Sequence, residues 1–92
     1  MLDYGYVFAK SLHEKIKEKV FAGVHVKCTE QDTMEIVITR TNENLIFRME
    51  IQNFSEKILY GYSTEYATYE VLNKYKKFVQ NRIQRKYFKG EV

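Results

Sequence analysis

The sequence predicts an α+β domain, with a helix, a three-stranded antiparallel meander, a short helix and a long C-terminal helix in that order. Two observations lead there. Apolar residues recur at helical period near both ends of the chain and at period two in its middle. The breaks between the alternating runs, Thr29–Asp32 and Arg40–Asn44, are only four and five residues long. Such short connections join strands that run antiparallel.

The first helix follows from Phe8, Leu12, Ile16 and Val20, an i, i+4 stripe flanked by Val7 and Ala9. Lys10, Glu14, Lys17 and Glu18 take the other side, and Gly23 is expected as its C-terminal stop. Val24, Val26 and Cys28 then alternate with His25, Lys27 and Thr29. Met34, Ile36 and Ile38 alternate with Glu35, Val37 and Thr39, and Leu45, Phe47, Met49 and Ile51 with Ile46, Arg48, Glu50 and Gln52. Each run is a strand with one buried face, which the first helix can cover. Asn53 and Glu56 have the spacing of a capping box for the short helix, and Gly61 closes it. Ser63 or Thr64 caps the last helix, which is expected to run to about Phe88. Its predicted buried stripe is Leu72, Val79 and Ile83, flanked by Tyr69, Tyr75 and Tyr87.

Ninety-two residues make one domain, 1–92. No stretch approaches the roughly 18 apolar residues of a membrane span. The start, MLDYGYVFAK, lacks the basic and apolar pattern of a signal peptide. One cysteine and no internal disulfide agree with a reducing compartment, so a cytoplasmic location is expected.

Residues that could carry chemistry are few. Cys28 shares a strand face with Val24 and Val26 and is expected to be a buried hydrophobe. His13 and His25 lie apart, without the spacing of a metal site. Glu35 and Glu50 fall on the polar faces of neighbouring strands, as halves of surface pairs with Arg48 nearby. The four glycines are isolated, so no phosphate loop is present. No catalytic residue, metal site or cofactor is predicted.

Charge carries the functional signal. Residues 1–22 have net charge +1, residues 23–53 −2 and residues 54–92 +4. Seven basic and no acidic residues lie between Lys74 and Lys89. On a helical wheel of about 100° per residue, Lys74, Arg82, Arg85 and Lys89 share one sector. Phe78 falls inside that sector, and Lys77 and Phe88 on its border. The predicted binding residues are therefore Lys74, Lys77, Phe78, Arg82, Arg85, Phe88 and Lys89. Lys and Arg near a helix C-terminus complement the macrodipole and keep the end soluble, which is the plain reading of the run. Cations with phenylalanines among them also suit a protein partner, with Phe78 and Phe88 as anchors and arginines as a rim. Nucleic acid, met through phosphates and stacking, is the alternative.

The α-β-β-β-α order resembles double-stranded-RNA-binding domains in topology. Their histidine-bearing first loop and lysine-rich helix start are replaced here by Thr29-Glu-Gln-Asp32 and Ser63-Thr-Glu-Tyr66, so no RNA-binding residue carries over. The segment YGYSTEYATYEVLNKYKKFVQNRIQRKYFK resembles the end of small proteins from phages and mobile elements of Gram-positive bacteria. Some compact proteins of that kind inhibit CRISPR nucleases. The resemblance implies a non-catalytic module acting on a host protein or ribonucleoprotein. The basic end departs from the acidic character of many such inhibitors and argues against DNA mimicry.

Overall fold

The computed structural model describes residues 4–91 in their backbone and residues 5–82 in their side chains. The elements are α1 (Tyr4–Lys19), β1 (Gly23–Cys28), β2 (Thr33–Arg40), β3 (Leu45–Gln52), α2 (Phe54–Leu59) and α3 (Thr64–Glu91). The strands form one antiparallel sheet in the order β1-β2-β3. In its register Val24 lies beside Ile38 and Val26 beside Ile36, while Ile36 faces Met49 and Ile38 faces Phe47. Every residue of the apolar alternation thus lands on one face.

Both long helices cover that face. α1 packs on β1, α3 on β3, and α1 and α3 pack on each other. Leu12 and Ile16 of α1, Met34, Ile36 and Ile38 of β2, and Val71 of α3 are fully buried where the layers meet. The expected stripe of α1 is present, except that Val7 is exposed. Lys15 reaches from α1 to Glu65 at the start of α3, 3.3 Å away.

Three local expectations are corrected. Gly23 is the first residue of β1, opposite Thr39, and has no positive φ, so it is not a helix stop. The Asn53–Glu56 capping box does not form. Asn53 turns directly off β3 in a left-handed conformation, φ 54, and its side chain makes no cap bond. Asp32, in the β1–β2 turn, caps α2 instead. Its carboxylate accepts from the Ser55 amide at 3.3 Å and from the Ser55 hydroxyl at 2.6 Å, and its carbonyl accepts from the Phe54 amide. Cys28 faces inward as expected, but is half-buried rather than buried.

Gly61 ends α2 as predicted, with φ 94. Its amide donates to Ile58 O at 3.0 Å and the Tyr62 amide to Lys57 O at 2.8 Å. This paired closure of a helix end requires a left-handed residue, and glycine takes that conformation without a Cβ penalty.

Candidate functional site

α3 starts at a side-chain cap. The Tyr66 amide donates to Ser63 Oγ at 3.1 Å, and the Ala67 amide to Ser63 O at 3.0 Å. Glu65 sits in the first turn, where a carboxylate suits the positive end of the helix dipole. A backbone amide, and then Lys15, hold its carboxyl below the usual range.

The helix is fixed to the body by Ala67, Thr68, Val71 and Tyr75, all buried. Leu72, Phe78 and Val79 pack against the same core and are half-buried. The real stripe is therefore turned about 70° from the predicted line of Leu72, Val79 and Ile83. Tyr69, expected on its flank, is 67% exposed. The cause is steric. Close approach of α3 to α1 and the sheet favours small residues such as Ala67 and Thr68, which a search for large aliphatics passes over. Thr68 buries its hydroxyl by donating to Thr64 O at 2.6 Å. Ile83 and Tyr87 lie outside the described side chains.

This rotation changes the meaning of the basic sector. Phe78 was expected to project from the body. Instead its ring lies 5.4 Å from that of Phe47, which also meets Tyr75 edge-on at 5.6 Å. The Arg82 guanidinium sits over the outer face of Phe78, 5.2 Å from the ring centre. The Phe78 line of the sector thus faces the core while the helix crosses the sheet. One turn beyond Phe78 it carries the exposed Arg82. Lys74 and Lys77 are exposed on the outer side. Lys74, Lys77 and Arg82 make no ion pair among the described residues. The predicted site residues Arg85, Phe88 and Lys89 lie outside the described side chains, although the helical backbone continues to Glu91.

A further basic feature was invisible in the sequence. A shallow groove of about 330 Å³ runs between the end of α1, the end of β2 and α3. Leu72, Tyr75 and Val79 form its floor, and Lys19, Arg40 and Lys76 stand around it. Arg40 is forked onto Glu43, with Nε to Oε2 at 3.2 Å and Nη2 to Oε1 at 2.9 Å. That carboxylate raises the guanidinium above its ordinary pKa, against a smaller effect of burial. These cations come from three separate elements, so no local spacing could reveal them.

The other side of α3 is aromatic. Tyr62 stacks on Phe8 at 6.1 Å and meets Tyr66 edge-on at 5.6 Å. Its hydroxyl donates to Glu70 Oε1 at 2.7 Å. Burial, then Glu70, push that hydroxyl well above its ordinary pKa of 10.0. Leu59 and Tyr60, at the α2–α3 corner, are 80% and 81% exposed.

The residues weighed for chemistry do not converge. His13 Nε2 lies 2.9 Å from Val24 O, a carbonyl that can only accept, so the ring holds its proton there. His25 is exposed on the outer sheet face. Glu35 and Glu50 are direct cross-strand neighbours, with Lys27 on the other side of Glu35. Among the described residues no three His, Cys, Asp or Glu side chains gather where they could hold a metal ion. Among the same residues no helix is long and apolar enough to cross a membrane. The chain matches no protein-family model, no curated protein and no solved structure.

Proposed function

We propose that this chain is a non-catalytic binding module that engages an acidic surface of a host macromolecule through the basic side of α3. The observation that supports it most is the pair of states within one sector of that helix. Phe78 is committed to Phe47, while Arg82 follows it, exposed and without an ion pair among the described residues. Charge left uncompensated next to an apolar anchor is suited to steering and docking.

The partner is a host protein or the protein part of a ribonucleoprotein, met in the cytoplasm. Phe78 is occupied by the core and is not offered for base stacking, which weighs against single-stranded nucleic acid. The likeness to phage and mobile-element proteins makes a host defence nuclease the first partner to test. Such a module acts by occupying a surface, without a reaction of its own.

The test is the triple change Arg82→Glu, Arg85→Glu and Lys89→Glu. It should leave the melting temperature within a few degrees of the parent and abolish capture of the partner from host extract. Full capture by the folded variant would discard the reading. Salt then classifies the partner. A steep log–log slope shared by unrelated DNA or RNA sequences indicates phosphates, and a shallow slope indicates protein.

A further inference from the structure

α3 has a second face, opposite the one that anchors it. At about 100° per residue, Tyr66, Tyr69, Glu70, Asn73, Lys76 and Lys77 fall on the side away from Val71 and Tyr75. Tyr66 and Tyr69 are 56% and 67% exposed there. The face is divided by sign. On it the acid, Glu70, precedes Asn73, and the cations, Lys76 and Lys77, follow it. Two parallel copies would set like charge against like. Two antiparallel copies set each half against its opposite.

We propose that the protein forms a two-fold symmetric dimer through antiparallel pairing of this face of α3. The register follows from the spacing. In an antiparallel helix pair, side chains on the same flank meet across the axis. Glu70 and Lys77 share one flank and lie three and four residues from Asn73. Tyr69 and Lys76 share the other flank and lie four and three residues from it. A two-fold axis at Asn73 therefore brings Glu70 to the partner's Lys77 and Tyr69 to the partner's Lys76. Symmetry makes each contact twice. The Lys76 stem covers the tyrosine ring while its ammonium meets the ring face. Glu70 is oriented in advance by the Tyr62 hydroxyl, 2.7 Å away. The two Asn73 amides meet on the axis, where a polar pair fixes register.

The same arrangement carries the far half of α3 past the partner's α2–α3 corner. Leu59 and Tyr60 are exposed there. The Phe78–Arg82 side lies on the opposite side of the helix, so the dimer leaves Arg82 of each copy exposed.

Light scattering and sedimentation on the full chain test this directly. The parent should show twice the mass of the 11.1 kDa chain at high concentration. Lys77→Glu, at an exposed position, should stay folded and weaken self-association at least roughly tenfold through two like-charge contacts. Glu70→Lys should do the same. An equimolar mixture of the two variants should dimerise again, because each restores the other's pairing. In a Cys28→Ser background, Asn73→Cys should give a disulfide-linked dimer on mild oxidation. A parent that is monomeric at every concentration overturns the proposal. So does a dimer that ignores Lys77→Glu and leaves the cysteine at position 73 uncrosslinked. If Glu70→Lys unfolds through loss of the Tyr62 bond, the other two variants decide.

Discussion

The two halves of α3 are held by different forces. From Thr64 to Val79 the helix lies on α1 and β3, and its inner side is packed by Val71, Tyr75, Phe78 and Val79. From Gln80 onward the described side chains, Gln80, Asn81 and Arg82, are exposed. The line of the helix that carries Val71, Tyr75 and Phe78 over the sheet carries the exposed Arg82 beyond it. A helical wheel merges these two stretches, because it discards position along the axis. Read along the axis, Arg82 does not sit behind the anchor. It continues it past Val79 in an exposed position, where charge costs little desolvation.

The sharpest way to break this contrast is Tyr75→Ala. It removes a buried ring that meets Phe47 edge-on, and should destabilise the fold by about 3 kcal/mol or more in denaturant titration. A cost below about 1 kcal/mol would mean that the near half is not the anchor.

Phe78→Ala comes next. The ring is half-buried between Phe47 and Arg82, so its loss should cost about 1–2 kcal/mol of stability. Its effect on partner binding should be smaller than that of the triple charge reversal. If binding collapses while the melting temperature holds, Phe78 is an exposed anchor after all, and the core contact is secondary.

At the other end of the helix pair, the capping of α2 offers a paired test. Asp32→Gly keeps the positive φ and removes the carboxylate, and should cost about 1 kcal/mol. Asn53→Gly should be close to neutral, because that side chain caps nothing. The reverse ranking in thermal melts would restore the capping box read from sequence.

The smallest effect is on pH dependence. The Tyr62 hydroxyl is raised above 10.0 in the folded state by burial and by Glu70. Its contribution to stability is therefore complete below pH 10.0 and is lost as pH rises through the folded value. Tyr62→Phe should flatten that alkaline limb while leaving the neutral-pH profile in place. An unchanged limb in the variant would assign the loss to another group.

The architecture was legible because it rests on local periodicity. Phe8, Leu12 and Ile16 announce α1, and the alternation around Ile36 and Phe47 announces a sheet with one buried face. Gly61 announces a helix end, since few other residues tolerate its φ. The candidate site was legible as composition, in the run of cations without acids from Lys74 to Lys89. These features depend on neighbours in the chain, and the chain carries them in any context.

Tertiary structure decided everything that depends on distance in space. It chose Asp32, twenty-three residues from Ser55, as the cap of α2. It turned α3 so that Ala67 and Thr68 are buried and Leu72 only half-buried, because close approach of helix to helix rewards small side chains. It brought Lys19, Arg40 and Lys76 around one groove. It also set Phe78 against Phe47 and left Arg82, one turn on along the same line of α3, exposed.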